Sequence, residues 1–150
     1  MSPARLAPLA LALAACSGGP AQPAALDTRN DACAHCRMAA SDARFASQVA
    51  APGEEPRFFD DIGCLRDWLA KGPPLPRGAV AFVADHRTRA WVRAARAVYT
   101  QRESLATPMS SHLVAHADAA SRDADPAAAG GRRLEPAEVF GPAGPPDGSP

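Results

Sequence analysis

Bulky apolar side chains are scarce in this sequence. Of 150 residues, Leu, Ile, Val and Phe together supply only 24, whereas alanine supplies 36. Any core is therefore small, and two large domains are excluded. Net charge is absent as well: sixteen Lys+Arg balance sixteen Asp+Glu, so no global field draws the chain to nucleic acid or to anionic lipid. The apolar run at the N-terminus, Leu6–Ala15, is interrupted by Pro8 and is about half the ~20 residues that a membrane-spanning helix needs. No Ser-His-Asp order, phosphate-cradling glycine loop, HExxH motif or paired-carboxylate signature stands out. Nothing in the sequence demands catalysis, and an enzyme is not expected.

What is present at the N-terminus has the plan of an export signal: a single positive charge at Arg5, an apolar middle, then small residues. The expected cut lies before Cys16, which makes 1–15 a signal peptide. Leu13-Ala14-Ala15-Cys16 resembles the bacterial lipobox, in which the cysteine is acylated and becomes the first residue of the mature protein. That resemblance implies a lipoprotein held to the membrane through Cys16 and facing the periplasm. Ser17, where an aspartate would signal retention, implies sorting to the outer membrane. Residues 16–29, rich in small residues, Gly and Pro, are expected to form a flexible tether. Residues 141–150 carry so much Pro and Gly that they are expected to be a disordered tail. The folded part is then 30–140.

Within it, Phe45, Ser47 and Val49 alternate onto one face of a strand over 44–50. A turn at Pro52-Gly53 leads to a second short strand over 57–60, giving an antiparallel hairpin. Asp60 and Asp61 stand where a helix N-cap belongs. Ile62, Leu65, Trp68 and Leu69 then fall on one face of a helix that ends at Lys71-Gly72. Residues 79–83 have the length and composition of a buried strand. Residues 90–100 form a strand or bulged strand of uncertain register, because the parity of the apolar residues shifts between Val92 and Val98. A strand over 112–116 follows, then a weak helix over 117–129 broken by Pro126, and a last strand or short helix over 132–140. The order predicts an α+β fold of two ββαβ-like halves, mostly antiparallel sheet with short helices.

The densest chemistry lies in Cys33-Ala34-His35-Cys36-Arg37-Met38. Two thiols, an imidazole and a thioether within six residues exceed what packing requires. Thiolate and thioether together favour a soft monovalent ion such as Cu(I), whereas Zn(II) takes Cys, His or carboxylate and ignores Met. Met109, in Thr107-Pro108-Met109, is a second thioether on a proline-stiffened turn outside any amphipathic stripe, and His112 follows it at a spacing that lets both face one ion. Other readings of Cys33-x-x-Cys36 stay open. An exported protein favours a structural disulfide. A redox pair needs a preceding core strand, and 27–32 is polar. A zinc knuckle needs a second ligand pair, which Cys64 and a histidine would have to supply. Cys64, near the start of the helix, reads more simply as a small buried residue. His86 and His116 read as surface or strand residues.

In combination these segments resemble the nitrous-oxide-reductase accessory proteins (NosL), a family of copper-binding lipoproteins. The resemblance rests on the lipobox at Cys16, on Cys33-x-x-Cys36-x-Met38, and on Phe59-Asp60-Asp61-Ile62-Gly63-Cys64 opening a helix with Trp68. Thr107-Pro108-Met109 ahead of Leu113-Val114-Ala115 completes it. It implies two ββαβ-like halves and a Cu(I) ion bound by Cys36, Met38 and Met109, with Cys33 as a possible further thiolate. The implied role is delivery of copper for assembly of nitrous oxide reductase, alongside an ABC-type maturation transporter. Two departures matter. Arg37 stands where the family has glycine, and Ser110-Ser111-His112 replaces its glycine-rich continuation, so the local geometry is expected to differ if glycine there serves a positive φ. His112 is then a candidate compensating ligand.

Overall fold

The computed structural model describes residues 19–148. The signal segment 1–15 and the lipidation candidate Cys16 lie outside the described residues. Among the described residues seven strands form two antiparallel sheets, accompanied by three short helices, which makes a small α+β fold. The first sheet contains β1 (Ser47–Ala50), β2 (Arg57–Phe59), β3 (Val80–Ala84) and β4 (Trp91–Arg93) in the order β2-β1-β3-β4. Helix α1 (Ile62–Lys71) connects β2 to β3. The second sheet holds β5 (Val98–Gln101), β6 (Leu113–His116) and β7 (Arg132–Leu134) in the order β6-β5-β7, with α2 (Ala119–Asp123) between β6 and β7. Helix α3 (Pro136–Phe140) follows.

Each half thus begins strand, strand, helix, strand, with β4 added at the edge of the first sheet, and in each the first strand lies between the next two. All the ladders are antiparallel, with Ser47 opposite both Phe59 and Val83 in the first half and Tyr99 opposite both Ala115 and Leu134 in the second. The parity shift between Val92 and Val98 has a simple origin. A 3₁₀ turn at Ala94–Arg96 ends β4, and the chain leaves one sheet for the other, so the two apolar runs never share a register. Pro126 likewise ends a helix that cannot continue: α2 stops at Asp123 and Pro126–Ala128 form a separate 3₁₀ turn. The stretch 132–140 is both things expected of it, a strand and then a helix.

The core lies between α1 and the sheets and is built on Phe59, Ile62, Leu65, Val83, Tyr99 and Leu113, with alanines filling the closest approaches. Tyr99 is fully buried, and its hydroxyl donates to the Ala94 carbonyl at 2.8 Å, which satisfies the one polar atom it brings inside. α1 ends where Gly72 donates to the Trp68 carbonyl at 2.7 Å, an approach so close that a Cβ on Gly72 would lie 2.4 Å from that oxygen.

Composition misleads at both ends of the described chain. The segment expected as a tether packs from Ala21 onward: Ala24 donates its amide to Gln48 Oε1 at 2.8 Å and accepts from Gln48 Nε2 at 3.0 Å. Gln48 is fully buried, and this pair of bonds is what satisfies its amide. The segment expected as a disordered tail runs along β3 instead. Ala81 donates to the Pro146 carbonyl at 2.8 Å, Gly148 donates to Ala79 at 2.9 Å, and the Arg93 guanidinium bonds the Asp147 carbonyl at 2.7 Å. β4 pairs only with Phe82–Ala84, leaving the start of β3 as an open edge. Proline cannot donate, but its carbonyl accepts, and that suffices to cover the edge. Among the described residues no helix is long and apolar enough to cross a membrane.

Candidate metal centre

The Cys33–Met38 segment closes on itself. Cys33 donates its amide to the Met38 carbonyl at 2.7 Å, Arg37 donates to the Cys33 carbonyl at 3.0 Å, and a bridge between Ala32 and Ala39 seals the base. The Ala34 amide donates to Phe58 at 2.8 Å and so pins this loop to β2. A turn this tight needs one left-handed residue, and that residue is Arg37, at φ 69°. The left-handed region costs a residue bearing a Cβ about 1–2 kcal/mol, which glycine would avoid. This chain keeps the conformation without the glycine. Inside the loop the Cys36 amide donates to Cys33 Sγ at 3.5 Å.

Two further groups arrive from the end of β2 and the start of α1. Both carboxylate oxygens of Asp60 lie 3.5 Å from Cys36 Sγ. Cys64 sits in the first turn of α1. Ligand atoms of Cys33, Cys36, Asp60 and Cys64 all fall within 4.8 Å of one another, a group able to hold a metal ion. The three cysteines are free thiols. Cys33, Asp60 and Cys64 are buried, and Cys36 is the partly exposed member.

The 107–112 loop reaches the same helix start. Asp61 is the N-cap of α1: its Oδ1 accepts the Gly63 amide at 2.6 Å, while Oδ2 accepts the Met109 amide at 3.0 Å. One buried carboxylate therefore begins the helix and ties down a residue 48 positions away. Ser110 and His112 both take positive φ, at 55° and 59°, again without glycine. Ser111 lies against Gly63 so closely that a Cβ there would meet Ser111 Cβ at 2.8 Å. Gly63→Ala is expected to destabilise the fold by about 1–2 kcal/mol even though alanine is the better helix former, because the loop must lift. Urea denaturation measures this, and an unchanged midpoint would mean that the loop is not seated on α1.

The residues singled out from the sequence divide as follows. Cys33 and Cys36 join the four-residue group. Met38 and Met109 lie at the surface, 57% and 42% exposed, and neither is buried as a core filler. His112 is not one of the four: its Nδ1 donates to the Leu105 carbonyl at 2.8 Å, which leaves Nε2 as the nitrogen with a lone pair. Asp60 and Asp61, read together as caps, separate, with Asp61 capping and Asp60 facing the thiols. Cys64 is buried as expected of a small apolar residue, yet it also belongs to the cluster. The signal for these two in the sequence is their i, i+4 spacing across the helix start. His86, expected at the surface or in a strand, is buried in the turn after β3.

Burial dominates the electrostatics of the group. It pushes the Cys36 thiol up to about 11, against an amide hydrogen bond at Met38 that lowers it, and the neighbouring Cys33 and Asp60 add to the rise. Burial, then the hydrogen bond to Asp60, also pushes the Cys64 thiol well up. Cys36 and Cys64 are therefore held as thiols that a thiophilic cation deprotonates on binding. No protein-family model, no curated protein and no solved structure matches this chain.

Proposed function

We propose that this chain is a Cu(I)-binding lipoprotein of the NosL kind. In this reading it is anchored through Cys16, faces the periplasm at the outer membrane, and hands copper to the assembly of nitrous oxide reductase alongside an ABC-type transporter. The observation that carries the reading is the meeting of three thiols at a helix start that also anchors the loop bearing Met109. Cu(I) is soft and is satisfied by two or three sulfur donors. Thiols inside and thioethers at the surface give a cargo ion a tight seat and an exit through weaker ligands, which a partner can displace one at a time. Cys36 and Cys33 supply thiolates in this scheme, Met38 and Met109 supply thioethers, and His112 Nε2 is the candidate nitrogen donor. Cys64 and Asp60 extend the set.

The presence of a third thiol, Cys64, and of Asp60 beside the Cys33–Cys36 pair favours this reading over disulfide exchange, which needs two thiols alone. X-ray absorption on the reduced, copper-loaded protein tests the proposal. Two or three sulfur scatterers around Cu(I) are expected, together with a Cu(I)-induced rise in melting temperature that Cys36→Ser loses. A shell dominated by nitrogen or oxygen, or an equal Cu(I)-induced rise in Cys36→Ser, would overturn it.

A further inference from the structure

A second group of ligand-type side chains lies well away in sequence from the thiols, where the two sheets meet. His86 follows β3, His116 ends β6, and Asp125 caps the 3₁₀ turn at Pro126–Ala128. Their ligand atoms fall within 4.8 Å of one another. Their exposures are 8%, 0% and 6%, so all three are at least nine-tenths buried. His86 Nδ1 and His116 Nε2 meet the same carboxylate oxygen, Asp125 Oδ2, at 2.6 and 2.9 Å. The geometry points to a second, sulfur-free site, in which His86, His116 and Asp125 hold one divalent transition-metal ion of the Zn(II) class.

Three observations support it. The first is convergence: two imidazoles aimed at one carboxylate oxygen already surround the point where a cation would sit, and the N/O donor set suits Zn(II) rather than Cu(I). The second is charge. Among the described residues no lysine or arginine pairs with Asp125; its ion-pair partners are the two histidines, and the nearby Arg44 is bonded to Asp42 at 2.7 Å. Asp125 Oδ1 accepts the Ala127 amide at 2.9 Å, and Oδ2, met by the two imidazoles, is the oxygen left for a cation to neutralise.

The third is the tautomers. His86 Nε2 and His116 Nδ1 are buried without a hydrogen-bond partner. Nothing but Asp125 therefore fixes which nitrogen of each ring carries its proton. A cation at that point takes lone pairs on His86 Nδ1 and His116 Nε2, the ring protons moving to His86 Nε2 and His116 Nδ1, and breaks no other hydrogen bond. The surrounding backbone is already rigid: His86 donates its amide to Ala115 at 2.9 Å, and Asp85, its neighbour, is locked to Ala117 and Ser121.

The test is a Zn(II) titration of the ¹⁵N-labelled protein with thiols kept reduced, followed by long-range ¹H–¹⁵N correlations of the four imidazoles. The ring nitrogens of His86 and His116 are expected to shift together in one saturable step, separate from any change at His35 or His112. Asp125→Asn is expected to weaken that step at least tenfold. Ring resonances of His86 and His116 that stay fixed through two equivalents of Zn(II) would overturn the site. Unaltered binding in Asp125→Asn would remove Asp125 from it. The wild-type titration stands even if the variant fails to fold. Neither outcome bears on the thiol centre, which X-ray absorption tests separately.

Discussion

Cys36→Ser is expected to lower the Cu(I) affinity by at least a hundredfold, a larger loss than the roughly 10–100-fold that follows removal of a group supporting a ligand. Cys36 is the partly exposed member of the thiol group, it touches Asp60 through both carboxylate oxygens, and its amide bonds the other loop cysteine. Serine keeps the size and the hydrogen bonding but replaces soft sulfur with hard oxygen, so the loss reads ligand chemistry and not folding. Competition against a Cu(I) chelator under anaerobic conditions measures it. Met38→Leu in the same assay divides the rival chemistries: weaker copper binding is expected here, whereas a disulfide-exchange protein would be indifferent to the thioether. An affinity in Cys36→Ser within a few-fold of wild type would remove the proposed centre.

The second large effect is structural. Asp85→Ala is expected to destabilise the fold by about 3–5 kcal/mol, a substantial share of the ~5–15 kcal/mol that typically holds a domain together. Asp85 is fully buried and its carboxylate is saturated. Oδ1 accepts the Arg87 and Thr88 amides at 3.0 and 2.8 Å, and Oδ2 accepts the Ala117 amide and the Ser121 hydroxyl at 2.8 and 2.7 Å. Burial by itself would push this carboxyl up, but the bonds from Ala117, Ser121 and Thr88 outweigh it and hold Asp85 well below the usual carboxylate range. The same side chain shapes the β3–β4 turn and ties it to the residue after β6 and to α2, so its removal strands donors in both halves at once. A fall in melting temperature on the order of 10–20 °C is the expected readout. A shift of only a degree or two would mean that the seam is held by other contacts.

How far each feature could be read in the sequence follows from the range of the interaction that produces it. α1 was legible because its cap, its apolar stripe and its Gly72 stop are all local, and the structure begins and ends it within a residue of expectation. The hairpin of β1 and β2 was legible for the same reason. The boundary between β4 and β5 was visible only as a register that failed to continue. What breaks it, a change of sheet, depends on which distant strands each piece pairs with. The ends 19–29 and 141–148 were misread because composition reports a segment's own capacity to form a core. It is blind to a buried glutamine or an open strand edge elsewhere that the segment can satisfy.

The site shows the same division. The sequence by itself determined the clustered thiols and thioether of 33–38, the turn at Met109 and the helix start at Asp61, because ligand type and short spacing are written along the chain. Only the tertiary structure decided that Asp60 and Cys64 join Cys33 and Cys36, that Met38 and Met109 stay at the surface, and that His86, His116 and Asp125 share one buried oxygen. The physical reason is that a side chain's neighbours are fixed by long-range packing. A cysteine that looks like core filler, or a histidine that looks like turn surface, acquires its chemistry only when a second segment folds against it.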